Sequence, residues 1–217
     1  MGGDRQDELK LAGESFPVRL LAQADFSGAE KFERSWVLEG NARASISKGK
    51  LLVNSFGADT AATLWCRGEF HADLAVEFAG ITVPPHGACN FNMFLHATEL
   101  DGSDVLSRPK SGAYTEYHGV NNYIFTFTQG WSRFRRDPGF QCISENLTTQ
   151  AKPDTPYHIV IVQSSGSERP GSRFRAFINN RLVHDVTDPE PHTHGRIALR
   201  TWNTALAYDT FRVWKLL

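Results

Sequence analysis

Cysteine is scarce in this 217-residue chain: Cys66, Cys89 and Cys142 form an odd, widely spaced set with no C-x-x-C pair. That excludes a disulfide framework and a zinc knuckle, and leaves small buried hydrophobes as the expected role. Neither charge sign is in excess, since 23 Lys and Arg face 24 Asp and Glu for a net charge of -1. No global field draws the protein to nucleic acid or an anionic membrane, and neither partner is expected. No apolar run approaches the ~18–20 residues of a membrane-spanning helix. The opening stretch, "MGGDRQDELKLAGESF", lacks the apolar core of a secretory leader. The expectation is a cytoplasmic protein, secreted only if a leader once preceded this stretch; the sequon at Asn146 ("NLT") matters only in that case. Walker, G-x-G-x-x-G, G-x-S-x-G and H-E-x-x-H motifs are missing, so nucleotide, serine-hydrolase and zincin chemistry lack support.

What is present is β pattern. Stretches such as "ARASISKGKLLVNS", "DLAVEFAGITV", "NFNMFLHAT", "NYIFTFT", "YHIVIVQSS" and "GRIALRTW" are rich in β-branched and aromatic residues and separated by Gly, Pro, Asn and Asp clusters. Runs of this length predict an all-β, antiparallel two-sheet sandwich. "SKGK" and "INNR" read as hairpin turns. One short helix is expected around "GAEKFERSW", where Phe32 and Trp36 stand four apart. "VPPHGA" and "TDPEPHTHG" read as loops. With no repeat or linker, residues 1–217 read as a single domain, residues 1–20 being an N-terminal extension or early edge strand.

The ending "HGRIALRTWNTALAYDTFRVWKLL" resembles the last strands of concanavalin-A-like jelly rolls. The middle, "NFNMFLHATELDGSDVL…SGAYTEYHGVNNYIFTF…WSRFRRDPGF", resembles more specifically the YesU-like family, domain of unknown function 1961, over roughly Asp25 to the C-terminus. This resemblance implies a jelly roll with one concave, ligand-facing sheet, in a family whose bacterial members often accompany the breakdown of plant polysaccharides and uronic-acid oligosaccharides. It supplies a place to look rather than a reaction.

The chemistry is sought on alternating faces. In "GAYTEYHGVNNYIFTF", read as two strands, Tyr114, Glu116 and His118 share a face. In "NFNMFLHAT", Asn90, Asn92, Phe94 and His96 face away from the core set Phe91, Met93 and Leu95. Arg200 and Trp202 alternate near the end, and Arg133 and Arg135 share a face in "WSRFRRDPGF". Placed on one concave sheet, these groups suit a sugar: rings stack on pyranose faces, Asn90, Asn92 and Glu116 meet hydroxyls, and arginine forks bind carboxylates. An ordinary solvated sheet face is the competing reading, and Arg136 with Asp137 equally suits a network pinning the "DPG" turn.

Three reactivities are open. Glycoside hydrolysis needs two carboxyl groups, for which Glu116 is one candidate and Glu77 the hoped-for second; "ELDGSD" is loop chemistry, not a catalytic strand signature. A lyase would use His96, His118 or Tyr114 as base and acid, with Arg133 or Arg135 neutralising the substrate carboxylate; the R-S-E-x-R and Q-I-H motifs of alginate-lyase jelly rolls are absent. A divalent metal, the one cofactor considered, could sit on Glu116, His118 and His96, with "HTH" at 192–194 nearby. His192 and His194 themselves receive no role. The preferred expectation is a carbohydrate-active protein that binds a mono- or oligosaccharide substrate, including acidic or plant-derived ones, and cleaves it as a lyase or hydrolase. The alternative is a non-catalytic lectin-like domain, and a structural or interaction protein with an empty cleft is the third reading. Oligomeric state is not fixed by these patterns.

Overall fold

A computed structural model describes residues 7–24, 26–165 and 170–217, so residues 1–6 of the expected extension lie outside the described residues. The chain runs β1 (Asp7–Leu11), β2 (Glu14–Ala24), α1 (Ala29–Ser35), β3 (Trp36–Gly40), β4 (Arg43–Ser47), β5 (Lys50–Asn54), β6 (Ala61–His71), β7 (Leu74–Val83) and β8 (Phe91–Thr98). It continues with β9 (Asn121–Phe127), β10 (Ser132–Asp137), β11 (Gln141–Asn146), β12 (Pro156–Ser165), β13 (Ser172–Ile178), β14 (Arg181–Asp188), β15 (His194–Trp202) and β16 (Ala205–Leu216). All strand pairs are antiparallel. One sheet has the order β1-β2-β16-β7-β12-β13-β14, with β5 and β4 continuing beside the first half of β16; the other has the order β11-β10-β9-β8-β15-β6-β3. We call them the curled sheet and the concave sheet. The architecture is the expected antiparallel jelly-roll sandwich.

Local chemistry explains the joints. The β4–β5 turn places Lys48 and Gly49 at positive φ, and the β13–β14 turn does the same with Asn179 and Asn180, the backbone a two-residue type I′ hairpin demands. Phe32 of α1 stacks on Trp36, the first residue of β3, with ring centroids 6.3 Å apart. Among the described residues no helix is long and apolar enough to cross a membrane.

The main core lies between the sheets, where Met93, Leu95, Phe125 and Phe134 meet Phe78, Ile161, Phe174 and Val213. Each such fully buried side chain contributes about 1.5–3 kcal/mol. A smaller core sits on the outside of the curled sheet, where the β1–β2 hairpin closes Leu11, Phe16 and Val18 over Val160, Phe177 and Trp214. The third cluster covers part of the concave sheet: Trp65, Phe94, Ile124 and Ala198 lie under Val105, Tyr117 and Val120. Those covering residues come from the excursion between β8 and β9, and it shapes the site.

That excursion corrects one expectation. Residues 114–119 form a 3-10 helix rather than a strand. Tyr114, Tyr117 and Val120 recur every third residue, the period at which side chains of a 3-10 helix eclipse, and pack together against the sheet.

Two imidazoles are locked into the interior. His184 bonds through both ring nitrogens to the Ser132 and Ser144 hydroxyls, at 2.9 and 2.8 Å, and burial pushes its pKa down to about 4. His96 behaves alike, also at about 4, chiefly through burial. The native state therefore refuses a proton that the unfolded chain accepts below ~6.5, so stability is full above ~6.5 and falls as pH drops toward 4. His184→Gln should flatten the fall of melting temperature between pH 6.5 and 4, a window worth up to about 3 kcal/mol for one such group; an unchanged slope would contradict the assignment.

Candidate functional site

Strand register builds the site. Reading across the concave sheet, Glu39 pairs with Thr63, Thr63 with Arg200, Arg200 with Asn92, Asn92 with Thr126, Thr126 with Arg133, and Arg133 with Glu145. One polar row thus crosses all seven strands. On one side it is flanked by the apolar row Trp65, Ala198, Phe94 and Ile124, which the excursion covers. On the other side Asn90, Trp202 and Trp131 stay open.

The opening is a cavity of about 490 Å³ lined by Asn90, Asn92, Tyr114, Trp131, Arg200 and Trp202, among others. A second lobe of about 460 Å³ adjoins it, sharing Tyr114, Arg200 and Trp202 and adding Asn41, Asp59 and Ser111. Each lobe falls within the usual size range of small-ligand sites. Trp202 is 39% exposed, and its indole N–H is tied to the Ala58 carbonyl at 2.6 Å, so the ring is held with its face free.

Around the waist the groups are layered. The Arg200 guanidinium lies 4.5 Å from the Tyr114 ring centroid and donates to the Gly112 carbonyl at 3.2 Å. Tyr114 meets His118 edge-on at 4.5 Å, and His118 stacks on Phe140 at 3.8 Å. Arg135 is held between Trp131 and Phe140, 4.9 and 4.5 Å from their centroids, and donates to the Thr126 hydroxyl at 3.3 Å. Burial, then the charges of Arg135 and Arg200, push the His118 imidazole below its ordinary pKa. Burial raises the Tyr114 phenol and lowers both guanidiniums.

The structure therefore brings together Asn90, Asn92, Tyr114, Arg200 and Trp202, with His118 and Arg135 behind them. Arg133 flanks the cleft, 4.0 Å over Trp131 and ion-paired to Glu145. Other candidates lie elsewhere. Glu116 is exposed, and its Oε2 accepts from the Ser111 N–H (2.9 Å) and hydroxyl (2.6 Å), bracing the loop instead of entering the larger lobe. His96 sits at a register shift in β8 with φ 55°; the bulge turns its ring between the sheets, onto Gln163. Glu77 is on the curled sheet, not the cleft, where it accepts from the Trp214 indole at 3.0 Å and pairs with His158 at 2.9 Å. Glu116, His118 and His96, the set considered for a divalent metal, do not assemble, and among the described residues no group of three His, Cys, Asp or Glu is placed to hold an ion. Arg136 pairs with Asp188 at 2.9 Å, while Asp137 accepts from the Phe140 N–H at 2.7 Å, which holds the "DPG" turn.

Trp131 and Thr126 were not among the expected contacts. Trp131 opens the period-two series Trp131, Arg133, Arg135, and that alternation was the available signal.

Residues 57–211 match the family described as a domain of unknown function, DUF6250. The chain belongs to that family. This match does not confirm the YesU-like family that the central motif resembles; the concanavalin-A-like fold which that resemblance implies is the one observed. Among solved structures, a protein of unknown function with a galectin-like fold from Bacillus subtilis aligns with TM-score 0.80 at 17% identity, covering 98% of this chain and 99% of that one. The carbohydrate-binding module CBM66 from Bacillus subtilis aligns with TM-score 0.57 at 15% identity over 84% and 93% of the two chains. A β-glucanase from Bacillus licheniformis aligns with TM-score 0.58 at 11% identity over 89% and 97%. At these identities the likeness is one of fold. No curated protein matches the chain.

The loop that carries Tyr114 depends on a close backbone approach. Gly112 has φ +91°, and a Cβ there would stand 2.4 Å from the Gly40 Cα. Gly112→Ala should cost more than about 1 kcal/mol, lower the melting temperature by a few degrees and displace the carbonyl that holds Arg200. Gly119→Ala, with nothing within 4 Å of its Cβ, should leave stability unchanged. Equal melting temperatures for the two variants would contradict this docking.

Proposed function

We propose that this protein binds a saccharide in the cleft of the concave sheet, as a lectin-like carbohydrate-binding domain. The observation that carries the reading is the lining of the larger lobe: two indoles, a phenol, two asparagines, Gln129 and a guanidinium, with no Asp or Glu among its described residues. Indole and phenol faces match the apolar faces of sugar rings, and amides match hydroxyls. Hydrolysis by the usual two-carboxylate route needs a pair of carboxyl groups roughly 5–9.5 Å apart across the scissile bond. Glu116 braces Ser111, Glu77 lies on the other sheet, and Glu39 is engaged by the Trp65 indole, the Tyr117 hydroxyl and the Lys110 N–H at 2.7, 2.9 and 3.0 Å. The carbohydrate-binding module and the β-glucanase of like fold support a saccharide ligand.

A lyase is the second reading. It is favoured by the Tyr114 phenol standing at the waist with the charges of Arg135 and Arg200 close by, since proton abstraction next to a carboxylate needs a phenol or imidazole beside a cation.

Titration with a panel of neutral and acidic oligosaccharides, followed by chromatography of each mixture, separates the two. Binding without product is expected, with Trp202→Ala and Trp131→Ala each weakening affinity roughly tenfold, about 1–2 kcal/mol, and Glu116→Gln leaving it unchanged. Accumulation of an unsaturated product that Tyr114→Phe abolishes would replace binding with the lyase reading.

A further inference from the structure

Among the described residues, buried cations elsewhere in this fold are paired. Lys110 meets Glu99 at 2.7 Å and Arg175 meets Glu14 at 2.5 Å. Arg135 and Arg200 are the exceptions: they are 4% and 2% exposed, and neither makes an ion pair among the described residues. An unpaired buried charge is costly, and the usual remedy is an opposite charge within hydrogen-bonding distance. Both exceptions stand at the cleft, and Arg200 lines both of its lobes.

Among the described residues no acid is ion-paired with Arg200: Asp59 lines the second lobe with it, without an ion pair between them. Glu145 is paired with Arg133. Glu39 stands two strands from Arg200 in the polar row, about 9–10 Å across the sheet, and holds three donors of its own. Asp137 lies two residues from Arg135 on the same strand, yet its Oδ1 accepts from the Phe140 N–H and its buried Oδ2 has no partner. Burial raises its carboxyl to about 6 against the pull of the Arg135 charge, so the two groups act on each other without forming an ion pair. The imidazole facing these groups, His118, is pushed away from its charged form. Arg200 keeps its Nε without a partner, and Asn92, directly opposite across the strands, keeps an unpartnered Oδ1.

Resting on the saccharide reading above, we propose that the cleft selects a sugar bearing a carboxylate, seated against the Arg200 guanidinium at the waist between the two lobes. Arg135, covered by Trp131 and Phe140 and partly offset by Asp137, adds positive charge from behind, since it does not line the cavity. A guanidinium fork fits the planar carboxylate of a uronic acid, while Trp131 and Trp202 on either side receive neighbouring rings.

The experiment is calorimetric titration of the full chain with galacturonic, glucuronic and mannuronic acid trisaccharides, each beside its methyl ester and its neutral counterpart, and with a sulfated galactose trisaccharide. At least one free acid should bind tenfold or more tightly than its ester and its neutral counterpart, with a preference that shrinks at high salt. The acid-to-ester comparison uses the unaltered protein, so a variant that fails to fold does not decide it. Arg200→Gln should abolish the preference, and Arg200→Lys, which keeps the charge and loses the fork, should retain part of it. Equal binding of acids, esters and neutral sugars would overturn the carboxylate assignment while leaving the saccharide reading intact. Preference for the sulfated sugar would overturn it in favour of another anion, and no binding by any sugar would overturn both.

Discussion

The Glu39 carboxylate fastens the excursion between β8 and β9 to the concave sheet, and the shape of the cleft follows from that attachment. Its oxygens accept from Trp65 on the sheet and from Tyr117 and Lys110 on the excursion. Hydrogen bonds to a charged group are each worth about 1.5–3 kcal/mol, and they hold in place a cover whose Val105, Tyr117 and Val120 are themselves buried on the sheet. One half of the concave face thereby becomes core. The other half stays open, and Tyr114, at the near end of the same 3-10 helix, becomes the wall between its two lobes.

Electrostatics follow the same division. Around the loops, acids and bases cancel: Asp104 takes Arg196 at 2.5 Å, Asp101 takes Arg108 at 3.0 Å, and Glu99 takes Lys110 at 2.7 Å. On the outside of the curled sheet Glu77 is surrounded by Trp214, His158 and Arg212. Among the described residues, two buried guanidiniums of the concave sheet stand without an ion-pair partner, Arg200 at the open cleft and Arg135 behind it. A ligand that brings aromatic-stacking faces, hydroxyls and an anion matches what that surface leaves unsatisfied.

Much of this was legible from alternation and turn chemistry. The Asn179-Asn180 and Lys48-Gly49 turns declare themselves because few residues accept positive φ at successive positions. Asn90 with Asn92, and Arg200 with Trp202, reach the cleft because period two holds over those stretches. It fails at His96, where one bulged residue reverses the face, and a bulge has no composition that marks it. Over 114–119 the period is three, and a two-residue reading put Glu116 in the cleft when it faces Ser111. Glu77 shows another limit: its alternation is regular, but alternation does not say to which sheet a strand belongs.

The five tryptophans provide a direct test of where the ligand sits. Trp131 and Trp202 line the cleft, Trp65 is buried beneath the cover, and Trp36 and Trp214 belong to other clusters. In an NMR titration of indole N–H signals with a saccharide ligand, the account predicts shifts at Trp131 and Trp202 while Trp36 and Trp214 stay still. Shifts confined to Trp36 or Trp214 would place the ligand elsewhere and contradict the assignment of the concave cleft.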